Sequence, residues 1–182
     1  MGTHCRPSRC PRAVRGATAL LGCIGALLPA TATAVAEEKE SAAAVELGAV
    51  GDWSLNGDVP SLGPLAGVEF TPIKDWLEIE SSVSAQFGHG QTEWGADLMF
   101  KKPFDLSPTI EFEPGIGPQW MHTTGGGRSA DAIAAEAELD FQFWSSREHR
   151  FGWFVEPSYS ISLTAGHEQA LGVTVGLLIA IP

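Results

Sequence analysis

The 182-residue sequence is 44% hydrophobic and 18% charged, too apolar for a disordered chain and of a length that favours one domain. Glycine (21) and proline (12) are abundant but follow no triplet repeat, which excludes collagen. A net charge of −11 argues against a nucleic-acid surface, because phosphate contacts need Lys and Arg.

The charge is unevenly spread. Arg6, Arg9, Arg12 and Arg15 open the chain, and all 22 acids lie at or after Glu37. An apolar run from Gly16 to Leu28 follows, broken at Pro29, and Ala34-Val35-Ala36 then precedes Glu37-Glu38. A basic start, a short apolar stretch and a small-x-small triplet are the parts of a secretory signal peptide. Cleavage is expected after Ala36, with residues 1–36 as the signal peptide and 37–182 as the mature domain. The apolar run falls short of the ~20 residues a spanning helix needs. Cys5, Cys10 and Cys23 all sit in the leader, so the mature chain is expected to have no disulfide and no Cys-based metal site.

From there the sequence alternates. Val45, Leu47, Ala49 and Trp53 oppose Glu46 and Asp52. Val68 and Phe70 oppose Glu69 in a shorter strand, and in 77–87 Leu77, Ile79, Val83, Ala85 and Phe87 oppose Glu78, Glu80, Ser82 and Gln86. Trp94, Ala96, Leu98 and Phe100 oppose Glu93, Asp97 and Lys101. In 109–121, Ile110, Phe112, Ile116 and Trp120 oppose Glu111, Glu113 and Gln119. In 133–143, Ile133, Leu139, Phe141 and Phe143 oppose Glu136, Glu138, Asp140 and Gln142. Trp153, Val155, Tyr159 and Ile161 oppose Glu156, Ser158, Ser160 and Ser162. In 171–181, Leu171, Val173, Val175, Leu177, Ile179 and Ile181 oppose Gly172, Thr174 and Gly176. A period of two marks β-strands with one apolar face, and a slip of one residue would exchange the faces. Eight strands are predicted. Their apolar faces carry no charge, while the other faces carry thirteen acids and Lys101.

The connections are predicted as tight turns at 72–75, 102–107 and 145–150, and as loops at 56–63, 88–91, 122–131 and 164–169. An even strand number puts both chain ends on one side, the periplasmic side of a bacterial barrel. Lys74, Lys101, Lys102, Arg147 and Arg150 then cluster at that end.

Alternation fits both a soluble barrel, apolar inside, and a membrane barrel, apolar outside. Several strands reach the ~9–11 residues of a tilted crossing. Trp53, Trp76, Phe87, Trp94, Phe100, Phe104, Trp120, Phe143, Trp144, Phe151 and Trp153 gather toward strand ends, as in an interfacial girdle. Lys or Arg at mid-bilayer costs about 2–4 kcal/mol, which would select so clean an apolar face. The expected fold is therefore all-β: an antiparallel up-and-down transmembrane β-barrel of eight strands.

The chain resembles the small eight-stranded outer-membrane β-barrel proteins of Gram-negative bacteria, and more closely a group of uncharacterised exported barrel proteins. The stretches that carry the likeness are Phe70-Thr71-Pro72-Ile73-Lys74-Asp75-Trp76-Leu77-Glu78, Glu93-Trp94-Gly95-Ala96-Asp97, Glu113–Trp120, Phe151–Tyr159, His167-Glu168-Gln169 and the last strand. The resemblance implies an outer-membrane location, with outer-membrane lipids and the barrel-assembly machinery as partners, and no assigned activity. Such barrels usually finish on an aromatic residue, whereas this sequence finishes Ile179-Ala180-Ile181-Pro182. Pro114, Pro118 and Pro157 fall within predicted strands, where each removes a ladder donor, so bulges or broken pairing are expected there.

Candidate chemistry is sparse. The inward acids read either as hydrated carboxylates near the barrel mouths, partly paired with Lys and Arg, or as a buried cluster around Glu78, Glu80, Glu111, Glu113, Glu136 and Glu138. Crowded carboxylates that lose hydration would hold protons or bind cations. His89, His122 and His167 with Glu168 could hold Zn²⁺ or Ni²⁺ only if three loops converge, and no spacing enforces that. His122-Thr123-Thr124, Ser129 and Ser158, Ser160 and Ser162 form no recognisable nucleophile set for a lipid-A hydrolase. Gly125-Gly126-Gly127-Arg128 lacks the Lys-Ser/Thr of a phosphate loop. The expected role is structural or interactive, without a cofactor and with a filled polar lumen, because eight strands leave room only for side chains. The alternatives are a narrow cation-conducting or ligand-binding barrel, a lipid-A-modifying hydrolase, and a soluble periplasmic ligand-binding barrel.

Overall fold

The computed structural model describes residues 43–56, 60–88, 90–164 and 166–181. The signal-peptide reading, His89 and Pro182 lie outside them. Period-two alternation cannot bury one face of a strand as a helix would, so each segment needs a neighbour for its backbone and a common interior for its polar side. The described residues meet both needs with nine strands and no helix: β1 Ala43–Ser54, β2 Ser61–Ile73, β3 Leu77–Gly88, β4 Gln91–Lys101, β5 Phe104–Ser107, β6 Ile110–Gly125, β7 Arg128–Trp144, β8 Phe151–Ser162 and β9 Gln169–Ile181. All pairings are antiparallel. They run β4-β3-β2-β1-β9-β8-β7-β6, and a further β4–β6 ladder closes the ring. Eight strands form the barrel, as the alternation predicts.

The ninth strand and several boundaries correct the sequence reading. The segment 102–107 is not a plain turn: β5 folds back on the start of β6, with Phe104 opposite Phe112. The short second strand is a full 13 residues, because Gly63, Pro64 and Gly67 interrupt the apolar pattern without interrupting the β1–β2 ladder. The predicted loop at 122–131 is a continuous hairpin from His122↔Asp131 to Gly125↔Arg128. It turns on Gly126 and Gly127, at φ +56° and +75°, the geometry of a two-residue turn in which both central residues need positive φ. A glycine-rich stretch that reads as a loop is therefore a strand end plus the tightest available turn.

The prolines interrupt pairing without shifting register. Opposite Pro118 the β4–β6 ladder skips from Asp97↔Gln119 to Phe100↔Ile116, while β6–β7 runs unbroken. Opposite Pro157 the β7–β8 ladder skips from Glu138↔Ser158 to Phe141↔Val155, while β8–β9 is continuous. Both N–H and C=O of a residue point to the same neighbour in an antiparallel sheet, so a proline costs one ladder and spares the other. Pro114 lies level with Lys102, beyond the last paired residue of β4, and its carbonyl accepts the Lys102 N–H at 3.0 Å. The bulge-like irregularities fall elsewhere, between Phe70 and Ile73 and between Asp105 and Ser107.

The faces sort as the registers require. Val83, Leu98, Ile116, Leu139, Val175 and Leu177 point outward and are exposed, as are Val68 and Leu171. Glu46, Glu69, Glu78, Glu80, Glu113, Glu138, Asp140, Glu156 and Lys101 are buried inside. The outward aromatics lie near the two rims. Phe100, Phe104, Phe143, Phe151, Trp153 and Trp76 surround the end bearing Ala43 and Ile181, and Trp53, Phe87, Trp94 and Trp120 surround the other. Trp144 departs from the expected girdle. It is an even position of β7, its side chain enters the lumen, and it packs with Ala44, Phe154 and Leu178.

Candidate functional site

The barrel interior is the candidate site, and it is built by cross-strand geometry. β3, β4, β7 and β8 bring Glu80, Lys101, Glu138 with Asp140, and Glu156 to one level. The Lys101 Nζ lies 3.3 Å from Glu138 Oε1 and 3.2 Å from both Asp140 Oδ2 and Glu156 Oε2, and it also contacts Glu80 Oε2. Its side chain is fully enclosed. An ammonium has three N–H donors, so four carboxylates saturate it. Sequence placed Lys101 with the basic residues at one rim. The alternation had already put it on the inward face with Asp97, and the structure carries its ammonium from the rim to the carboxylates of β3, β7 and β8.

Room for this group comes from glycine. Gly115 stands opposite both Lys101 on β4 and Glu138 on β7. A Cβ there would lie 2.7 Å from Glu138 Oε1 and 3.0 Å from Lys101 Cγ. Gly67, opposite Glu46, does the same for that carboxylate, whose Oε2 a Cβ would meet at 3.0 Å.

Beside Lys101, the buried Gln142 amide bridges strands. Its Nε2 is 2.9 Å from Glu69 Oε2, 3.1 Å from Asp140 Oδ2 and 3.3 Å from Glu113 Oε2. Two acidic pairs face each other directly across the sheet, Glu69↔Glu80 and Glu113↔Asp140, an arrangement that is unfavourable between like charges. The Ala43 end is capped by the 145–150 turn. His149 stacks on Trp144 at 5.0 Å, and its Nδ1 lies 3.3 Å from Glu111 Oε1, while Trp144 Nε1 donates to Glu111 Oε2 at 2.7 Å. Toward the other end Ser82 Oγ donates to Asp97 Oδ2 at 2.7 Å, and Gln86 accepts from Ser61 and donates to Asp52.

The six acids singled out in the sequence all face the lumen but do not form one cluster. Glu78 and Glu113 group with Glu69, and Glu80 and Glu138 group with Glu156 around Lys101. Glu111 belongs to the Trp144–His149 cap, and Glu136 lies toward the opposite end among Asp52, Asp97 and Ser82. The central members that the six omit are Glu46, Glu69, Asp140, Glu156 and Gln142. Alternation had already put them on the inward face, but only strand stagger reveals which of them share a level.

Of the histidines, His122 is on strand β6, not in a loop. It lies 2.9 Å from Asp131 and stacks on Trp120. His167 is at φ 47° in the β8–β9 loop with Nδ1 3.3 Å from the Ser162 carbonyl. Among the described residues no group of three ligand-spaced side chains contains a histidine. Thr124 and Ser129 face each other as ladder partners in the β6–β7 hairpin.

The described residues enclose cavities at both ends. One of about 240 Å³ opens at the Ala43 end, with Glu69, Glu78 and Glu113 in its wall, and one of about 20 Å³ lies toward the other end.

No family model matches the chain, and no curated protein matches it. Solved structures do match in fold. Neisserial surface protein A has a TM-score of 0.64 at 12% identity, covering 78% of this chain and 98% of its own. Ail, the attachment invasion locus protein of Yersinia pestis, scores 0.55 at 11% identity over 78% of this chain and 99% of its own. The N-terminal β-barrel domain of Pseudomonas aeruginosa OprF scores 0.55 at 15% identity over 75% and 97%. The fold is that of the small eight-stranded outer-membrane β-barrels.

Proposed function

We propose that the chain is a bacterial outer-membrane β-barrel protein, with residues 37–182 as the exported domain and a structural or interaction role rather than catalysis. The observation that carries this reading is the inversion of burial. Large apolar side chains such as Ile116 (69% exposed) and Val83 (59%) cover the outside, while Glu46 and Asp140 are enclosed within a closed ring. A soluble barrel arranges the faces the other way, because apolar surface facing water is unfavourable. A bilayer reverses the preference, and a ring without edges satisfies every backbone group inside it. The aromatic belts at both rims fit headgroup level. The partners on this reading are outer-membrane lipids around the apolar belt and the barrel-assembly machinery.

The lumen supports a closed barrel. The Lys101 and Gln142 networks span it from wall to wall, and the His149–Trp144 cap stands at one end. Eight strands enclose little more than their own side chains. Cell fractionation with heat-modifiable gel mobility tests the reading. The protein is expected in the outer-membrane fraction, migrating faster unheated than boiled. Recovery in the osmotic-shock fraction would overturn it. Planar bilayers should show no steady conductance, and a cation-selective current would replace the closed-barrel role with conduction.

A further inference from the structure

Among the described residues, three sets of inward carboxylates have oxygens within 4.8 Å of one another: Glu80–Glu138–Glu156, Glu46–Glu69–Asp140 and Glu69–Glu78–Glu113. The first surrounds the ammonium of Lys101. In a dry interior, like charges at this spacing need a positive partner or a proton between them. We propose that the second set, Glu46, Glu69 and Asp140, binds a hard divalent cation of the Ca²⁺ kind.

Spacing alone makes no site, and a separate observation points to a ligand here. Glu46 is completely enclosed, yet no N–H or hydroxyl group donates to either of its carboxylate oxygens, and the neighbour they meet is the carboxyl of Glu80. Asp140 uses Oδ2 for Lys101 and Gln142 and leaves Oδ1 without a donor. The Oε1 of Gln142, whose amide already holds Glu69 and Asp140, is likewise without a partner. Buried polar atoms are nearly always satisfied, so bare acceptors within this set and on the neighbouring Gln142 call for an electrophile.

The donor set selects its chemistry. All the atoms are carboxylate or amide oxygens, which suits Ca²⁺ and Mg²⁺ and not the nitrogen- and sulfur-seeking Zn²⁺. Ca²⁺ binds oxygen at about 2.4 Å, so ligands on opposite sides of it lie about 4.8 Å apart, and it tolerates irregular geometry that Mg²⁺ does not. Glu69 connects the set to the exterior, since it also lines the 240 Å³ cavity open at the Ala43 end. The site requires only the closed ring, so it stands or falls separately from the location of the barrel.

The test uses the full protein folded in detergent and stripped with a chelator, with Ca²⁺ itself as the probe. Equilibrium dialysis should recover one Ca²⁺ per chain, and thermal unfolding should shift to higher temperature as Ca²⁺ is added. Glu46→Gln keeps the shape and removes a charge, so roughly a tenfold or greater loss of Ca²⁺ affinity is expected, because ligand charge count sets affinity at such sites. Asp140→Asn and Glu69→Gln should do the same, and either serves if Glu46→Gln does not fold. Glu148→Gln, on the exposed 145–150 turn, should bind as the wild type does. A wild-type barrel indifferent to millimolar Ca²⁺ would mean that protons alone neutralise the set, and would overturn the proposal. Undiminished binding by the folded variants would overturn it equally.

Discussion

Lys101→Met removes the one buried cation found among the described residues and leaves Glu80, Glu138, Asp140 and Glu156 facing one another. Each contact at 3.2–3.3 Å is worth about 5 kcal/mol of Coulomb attraction at an effective dielectric of about 20, before desolvation is subtracted. Desolvation cancels most of that sum, and removing one partner of a buried ion pair typically costs about 3–5 kcal/mol. Typical domains have about 5–15 kcal/mol in total, so the loss is a large share of stability. Urea unfolding of the detergent-folded protein, followed by tryptophan fluorescence, measures it. Lys102→Met is the control. Its Nζ sits 5.0 Å from the Phe104 ring at the rim, and its loss should cost less than about 1 kcal/mol. Adding Glu80→Gln to Lys101→Met should recover part of the deficit by thinning the repulsion. A Lys101→Met protein within about 1 kcal/mol of wild type would refute the claim that this ammonium holds the four carboxylates together.

Other substitutions probe the remaining features. Val83→Arg, at the middle of β3 and outward, should cost about 2–4 kcal/mol in a bilayer, whereas Leu106→Arg on the short β5 should cost about 0–1 kcal/mol. Equal values in folding titrations into lipid vesicles would argue against a buried belt. Gly115→Val places atoms against Glu138 and Lys101 and should destabilise by about 1–3 kcal/mol, read from the urea midpoint. His149→Ala removes the stack on Trp144 and should lower stability by about 0.5–1.5 kcal/mol. It should also change the Trp144 environment in near-ultraviolet circular dichroism, and an unaltered spectrum would mean that the cap is not formed in solution.

The alternation of eight segments was sufficient to assign strand class, the number of strands in the barrel and the side of each that carries charge, whereas the short β5 escaped it. A period of two is a local property of the chain, and each strand displays it unaided. The sequence likewise marked Pro118 and Pro157 as places where pairing breaks, since a missing N–H is local too. Glycine was harder to read. Gly126 and Gly127 make a two-residue turn instead of opening a loop, and Gly63 and Gly67 lie within a strand that looked short, because glycine's meaning depends on the neighbouring strand.

Only closure of the ring decided the site. Glu46 and Asp140 are distant in sequence, and nothing in either segment says that they share a level in the lumen. That level is set by the stagger of eight ladders summed around the barrel. For the same reason Lys101 moved from a basic rim to the centre of four carboxylates, and Trp144 from the outer belt to the interior. Which face of a strand is polar follows from its own residues, but which polar groups meet follows from the register of every strand between them.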